Sequence, residues 1–575
     1  MTNKIERREF IQGVGIAAGI AAAGSFIDRP SALAQRKSDR QTDVFIVGSG
    51  PIACTFARIL HTAGRRVLMA DSGPLMSRYP GEHLKNAVAW QRDIDKFTPI
   101  VQGLLYQYST PPRPGNTLTL DPISFLTGAE SASVRSANNP RQNPYTNLPS
   151  AAQGFAVGGM FVHWTNNTPR QHPTLERMKI LSDVEWDELY DCAEALFNVH
   201  SDAFTSSIRH RVIKERLKKM YNGKLSPPYS PDDMPMGAQR RLDNSEFVYY
   251  TGSDTVLGPL ALHKFDDTFA ILPEHRVKEL TLKGSRVESA VVDNMLSGER
   301  FRVYADEFIV ACGSVLTPQL LWNSGIRPQA LGRYLHEHTF TFAQVVLKNE
   351  IIDEIQSQAP LKIGAGLDPI PIPMTDPPPM LRVPVADNRP WHTQVHRDSF
   401  AFNAVPADVD PRLIVDIRSF GMVEPVEENM VTFEPDIFDK FGMPQPTFHY
   451  VLGDLDRKLA HDMMSDTVNI AQELGGFLTG SEPRFLPPGA SLHVMGTTRM
   501  GAFNEGKSVV DSNSKVWGLD NLRLGGLGLL AAKNACNPTL TAAALAVRSA
   551  SHLAGTRPNP KSLDMGEEYR KVHGV

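Results

Sequence analysis

Cysteine is scarce, with 4 in 575 residues, and Cys54, Cys192, Cys312 and Cys536 lie far apart. They form no CxxC pair and share no metal-ligand spacing with histidine, which argues against a disulfide framework and against a zinc site. An excess of one charge is also missing: 59 Lys and Arg face 63 Asp and Glu, a formal net charge of −4, with no dense basic run. That balance supplies no field to hold nucleic acid or an anionic lipid surface. Internal repeats and long low-complexity tracts are absent, and glycine and proline, 43 each, show no period. Solenoid and collagen-like architectures are thereby excluded. No apolar run makes a convincing membrane span of ~20 residues. What is present is 41% apolar and 21% charged residues, the balance of a soluble globular protein with a large core. The length gives material for about three or four domains.

Residues 1–34 read as an address. Arg7-Arg8-Glu9-Phe10-Ile11 is a twin arginine followed by two apolar residues, and a Gly/Ala-rich apolar run, Val14 to Ile27, comes next. Ala32-Leu33-Ala34 offers a small-x-small cleavage site before Gln35. This pattern predicts export by the twin-arginine route to a periplasmic or secreted location, with no stable membrane span after cleavage. An uncleaved anchor or a buried helix is the plainer alternative.

The first fold signal follows directly. Asp43–Val47 (DVFIV) predicts a short buried strand, and Gly48-Ser49-Gly50-Pro51-Ile52-Ala53 supplies a G-x-G-x-x-A turn. A helix to about Thr62 and a second strand, Arg66–Ala70, end at Asp71. Strand, glycine turn, helix, strand and acid in one short run is the dinucleotide-binding unit. Gly48 permits the tight turn, Gly50 lets backbone approach a pyrophosphate, and Ala53 keeps the helix close to the strand. Asp71 stands where a carboxylate accepts ribose hydroxyls. The unit serves NAD and FAD alike; an export signal favours FAD, because diffusible NAD(H) is scarce outside the cytoplasm.

Four further segments narrow the reading: VGGMFVHWTNNTPR at 157–170, VACGSVLTPQLLWNSG at 310–325, WHTQVHRDSFAF at 391–402, and LHVMGTTRMG at 492–501 with GGLGLLAAKNACNPTLT at 525–541. Together with the glycine turn they resemble the glucose–methanol–choline (GMC) oxidoreductases and, within them, the pyranose 2-oxidase branch, over residues 42–556. Some positions depart from that pattern. Phe161-Val162 replaces Ser-Thr before His163-Trp164, Thr498 replaces a histidine, and the second signature ends Ser324-Gly325-Ile326-Arg327. A proline-rich run at 360–390 stands where fungal members carry an inserted head.

The resemblance implies an α/β (α+β) fold with a Rossmann-like FAD-binding domain and an antiparallel-sheet substrate domain. The flavin domain is expected at 42–115, 150–175, 230–345 and 490–556, the substrate domain at 176–229 and 346–489, and a polar tail at 557–575. It also implies roles. His493 matches the catalytic base, and Asn537 its hydrogen-bonding partner on the alcohol oxygen. An asparagine at that position would also cap the helix opening at Thr539. His163 matches a histidine joined to the flavin 8α carbon, although the residues alone leave it free to pack beside an unlinked flavin. Thr165 lies near flavin N5 by the same match. Gly526 and Gly528 let backbone approach the cofactor, and Asn537 and Thr539 point a helix start at the flavin ring. Gln394, Asp398, Phe400 and Phe402 match a substrate loop, with Asp398 placed to pair with Arg418. His336-Glu337-His338 reads either as a two-imidazole metal pair or as a structural stretch of the family, and the second is favoured; no metal is expected.

The implied activity is oxidation of a secondary hydroxyl, at C2 or C3, of an aldopyranose such as glucose, with O2 reduced to H2O2. The alternative is an exported sugar or glycoside 3-dehydrogenase that passes electrons to a quinone or cytochrome. A homo-oligomer is the family's habit.

Overall fold

In this computed structural model the described residues are 38–87, 108–109, 139, 141, 148, 151–244, 247–358, 370, 372, 378–397, 406–439 and 442–575. The twin-arginine segment and Asp398, Phe400 and Phe402 lie outside them. Residues Arg40–Val575 form one compact unit.

Two sheets organise that unit. The first grows from β1 (Arg40–Val47), whose apolar run Val44–Val47 is at most 6% exposed. Helix α1 (Pro51–Thr62) follows with proline at its first turn, where the missing N–H costs nothing. Strand β2 (Val67–Ala70) pairs parallel to β1 with Val44 opposite Val67. Next come β3 (Phe269–Leu272), β4 (His275–Lys283), β5 (Arg286–Asn294) and β6 (Arg300–Val310). The order is β3-β2-β1-β6-β5-β4, and the short strand Leu522–Leu524 also pairs with β6. The β3, β2, β1 and β6 core is parallel, and β5 and β4 form an antiparallel extension. Helix α2 (Gly313–Asn323) leaves the end of β6. The ends of β1 and β6 therefore lie side by side, the place where such sheets receive ligands.

The second sheet is antiparallel: β7 (Thr339–Leu347), β8 (Met380–Val383), β9 (Trp391–His396) and β10 (Ile414–Gly421), in the order β7-β10-β9-β8. Helix α3 (Asp454–Leu474) lies on β7 and β10, where Thr467 Oγ1 is 2.9 Å from both Thr341 Oγ1 and Ser419 Oγ. β7 begins at Thr339 and the short strand Asp232–Asp233 pairs with β8. Residues 339–345 and 232–233 thus sit in the second sheet, whereas the sequence placed them with the flavin domain. Buried runs such as TFTFAQVVL show neither alternation nor sheet membership.

Helix α4 (Thr539–Ala554) packs against α1 and stops at Gly555 in the left-handed region. Residues 557–575 are not a loose polar tail. They form α5 (Pro560–Leu563) and α6 (Glu567–His573), and Tyr569 is fully buried. Among the described residues no helix is long and apolar enough to cross a membrane.

Candidate active site

A cavity of about 280 Å³ gathers residues remote in sequence, a size suited to a ligand site rather than a packing void. Its wall includes Gly48, Gly50 and Asp71 from the first unit, His163 and Thr165 from the second motif, and His493, Gly526, Asn537 and Thr539 from the C-terminal signatures.

The two turn glycines do different work. Gly48 has φ +101, and a Cβ there would stand 2.5 Å from the Ala311 carbonyl oxygen, so the packing of β1 against the β6–α2 turn requires glycine. Gly50 has an extended conformation that any residue adopts, φ −66 and ψ 176. A Cβ on Gly50 would meet protein only at 4.0 Å, on Gly158 and Gly159. Its missing side chain leaves room on the cavity wall at the start of α1, where no side chain caps the helix. Uncapped amides at a helix N-terminus, with a cradle that a side chain would fill, suit a pyrophosphate. Gly526 is likewise open, with nothing within 4 Å of an added Cβ.

Asp71 is tied to the same turn. Its Oδ2 accepts from Ser49 N at 3.0 Å and Ser49 Oγ at 2.7 Å, and its Oδ1 accepts from Gly73 N at 2.7 Å. Burial raises its carboxyl above the ordinary range against those donors. Ala53 is buried within α1 and lies off the cavity wall, consistent with a packing role. Gly528 also lies off it: a Cβ there would stand 2.4 Å from Thr498 Oγ1, and Gly528 O accepts from Thr498 N. Packing against Thr498 thus requires glycine here.

His163 follows the turn Gly159–Val162 and is buried against Gly154, where an added Cβ would stand 3.6 Å from its Nε2. Burial pushes its imidazole down to about 4, so the ring is neutral at neutral pH.

A hydrogen-bonded chain joins three of the sequence-predicted residues. Asn167 Nδ2 donates to Thr165 Oγ1 at 3.3 Å and to Gln394 Oε1 at 2.9 Å. Gln394 Nε2 donates to Asn537 Oδ1 at 2.6 Å. Asn537 therefore does not cap α4; the cap position is Pro538, with no side-chain bond. The occupied oxygen turns the Asn537 amide so that its NH2 remains for another acceptor.

His493 lines the same cavity. Its Nδ1 is buried with no partner among the described residues, and burial holds the imidazole at about 3. Beside it, His338 lies with its ring centroid 5.0 Å away, edge to face, and Phe420 at 5.8 Å. His336 is turned elsewhere, its ring nitrogens near the Tyr334 and Ala532 carbonyls. Among the described residues no group of three His, Cys, Asp or Glu is arranged for a metal ion. Arg418, expected opposite Asp398, lies 3.6 Å from Asp416.

Residues 263–340 and 425–546 match the GMC oxidoreductase family. The chain is 38% identical to a pyranose 2-oxidase of Emericella nidulans over 565 residues, covering 89% of this chain and 92% of that one. The chain belongs to the GMC oxidoreductase family. Another pyranose 2-oxidase, from Tricholoma matsutake, is 40% identical over 533 residues, with 88% and 93% coverage. A C-glycoside 3-oxidase of Arthrobacter globiformis is 33% identical over 523 residues, with 89% and 95% coverage. The fold is shared with a solved formate oxidase at TM-score 0.62 and 14% identity, covering 90% of this chain and 99% of that one. This GMC oxidoreductase is an FAD-dependent enzyme acting on CH–OH groups.

Sequence reasoning missed Asn167 and His338. Asn167 was legible in principle, since it stands two residues after Thr165 in the motif at 157–170. His338 was seen within its triplet, but nothing local to 336–338 shows that its ring meets residue 493.

Proposed function

We propose that the protein oxidises a secondary hydroxyl of a pyranose sugar, at C2, to the ketone, with molecular oxygen as electron acceptor and hydrogen peroxide as product. The observation that carries the reading is the chain Thr165–Asn167–Gln394–Asn537, which sets an amide donor on the wall of the same cavity that holds the buried, unpartnered Nδ1 of His493. Such a pair suits an alcohol. The neutral imidazole accepts the hydroxyl proton, while the Asn537 NH2 donates to the oxygen and steadies it as charge develops. Gly48, Gly50 and Asp71 would hold the dinucleotide part of FAD, and Gly526 and Thr539 its ring end. FAD, when bound, supplies the hydride acceptor. His163 supports a covalent attachment, since burial keeps its ring neutral on the cavity wall.

A second reading places oxidation at C3 of a glycoside, and the identity to C-glycoside 3-oxidases favours it. The Arg7-Arg8 segment supports export of the folded holoenzyme. One experiment tests the reaction. Purified protein mixed with D-glucose without oxygen should lose its flavin absorbance and regain it quickly in air. A slow return in air rejects oxygen as acceptor, and no bleaching by any aldopyranose or glycoside rejects sugar oxidation.

A further inference from the structure

His493 and Asn537 share a feature that the proposed chemistry does not use. Each is carried on a segment whose backbone is gripped by a buried glutamate off the cavity wall. Glu337, 1% exposed, accepts from His493 N at 3.2 Å through Oε1 and from Gly489 N at 3.3 Å through Oε2. The Ser491 hydroxyl also donates to its Oε1. Leu492, between these donors, sits at φ +62, a left-handed conformation unusual for leucine. Glu176, fully buried, accepts from Ala535 N at 2.7 Å and Cys536 N at 2.9 Å through Oε1. It also takes Asn534 Nδ2 at 3.3 Å on the same oxygen and His172 N at 2.6 Å on Oε2.

Neither carboxyl lines the cavity. Among the described residues, neither has an arginine or lysine within ion-pair distance. A buried carboxyl without a cation is expensive, and general packing does not explain two of them at matching places. Converging backbone donors offset that cost, and in doing so they fix the path of the chain. The fixed paths are those immediately before, or at, the two reacting side chains.

We propose that Glu337 and Glu176 are paired positioning residues, Glu337 setting the His493 imidazole and Glu176 setting the Asn537 amide. The assignment rests on the proposed roles of His493 and Asn537. Burial raises both carboxyls above the ordinary range, Glu337 to about 8. A carboxyl oxygen accepts an amide N–H in either protonation state, so the tether does not depend on which one prevails.

The test is a pair of double-variant cycles read as the rate of anaerobic flavin reduction by sugar, in holoenzyme of measured FAD content. Glu337→Leu and Glu176→Leu keep bulk and remove the acceptors. Each should slow reduction about 10–100-fold with flavin content unchanged, the scale of a misplacement near 1 Å. Glu337→Gln and Glu176→Gln keep one acceptor oxygen and should recover part of the rate; they carry the test where a Leu variant does not fold. Placed in His493→Ala, the Glu337 changes should cost less than about twofold more, and the Glu176 changes should likewise vanish in Asn537→Ala. A penalty that persists undiminished in those backgrounds means a global structural role and overturns the proposal. Near-normal reduction by His493→Ala alone overturns the function reading instead, and with it the Glu337 assignment.

Discussion

Gln394 belongs to an interior strand of the antiparallel sheet, yet its side-chain amide donates to Asn537 Oδ1, 143 residues away, at 2.6 Å. The bond links the sheet to the loop before α4 and fixes which face of the Asn537 amide meets the cavity. It also gives Gln394 a part that needs no direct sugar contact.

Gln394→Leu should therefore act through Asn537. Losing one buried hydrogen bond and freeing the amide to rotate is expected to slow flavin reduction about tenfold. In an Asn537→Ala background the same change should cost little. A rate for Gln394→Leu within twofold of the parent enzyme would remove the residue from the mechanism.

Gly48→Ala and Gly50→Ala separate folding from cofactor binding. At Gly48 the new Cβ collides with the Ala311 carbonyl at 2.5 Å in a left-handed backbone, so soluble yield and thermal stability should collapse. At Gly50 the backbone accepts alanine and protein lies 4.0 Å away, so the fold should survive while bound FAD drops severalfold. Flavin absorbance per protein, with circular dichroism melting, decides both. Full flavin content in Gly50→Ala would place the pyrophosphate elsewhere.

These two glycines also show how far the sequence can be read. The G-x-G-x-x-A turn announced a strand and a helix, and both stand where the spacing put them, with α1 at Pro51–Thr62 and Gly48 and Gly50 on the cavity wall. His493 and Asn537 were legible because their motifs are long. Asn167 stood within its motif, but its bond to Gln394, like the grips of the two glutamates on the segments before His493 and Asn537, joins residues 152 to 360 positions apart and is met only in the fold. The packing of Gly528 against Thr498 was likewise hidden, because that neighbour is met only in the fold. Composition hid the anchoring of 557–575: most polar residues face outward, while Leu563, Met565, Tyr569 and Val575 are buried, with His573 beside them.

Tyr569 measures that anchoring. Its hydroxyl donates to Asp254 Oδ2 at 2.5 Å in a fully buried setting and lies 2.7 Å from the Tyr249 hydroxyl. Tyr569→Phe leaves a buried carboxyl short of a donor, at a cost of about 1–3 kcal/mol. A fall in melting temperature of a few degrees is expected, with flavin content unchanged. No change would mean that α6 contributes little to the stability of the unit.

The buried imidazoles set the acid side of the pH profile. His493 is held at about 3, so its base form prevails above that value and fails only as pH falls through it. Flavin reduction should be flat between about pH 5 and 8, whereas an inflection near the ordinary histidine value of about 6.5 would reject His493 as the base. Stability follows the same sign. His83 at about 3 and His163 and His336 at about 4 stay neutral in the fold while the unfolded chain protonates. These imidazoles therefore withdraw stability as pH falls below about 6.5, whereas Glu337 and Asp254, raised to about 8, withdraw it as pH rises, so melting temperature should ease downward between about pH 6.5 and 8.

His163 offers the plainest test of how the cofactor is kept. Its ring lies on the cavity wall beside Gly154, and burial keeps one ring nitrogen unprotonated, the form that bonds to carbon. If His163 carries FAD covalently, acid-precipitated protein should give a yellow pellet and a colourless supernatant. His163→Ala should reverse that partition while still binding flavin when native, because in the proposed reading the glycine turn and Asp71 would hold the dinucleotide independently. The neighbouring Phe161 stacks on Trp164 with centroids 3.6 Å apart, next to His163 in the same turn. A colourless pellet from the parent protein would show that the imidazole only packs against the flavin. The low pKa of His163 would then mark a buried wall of the site.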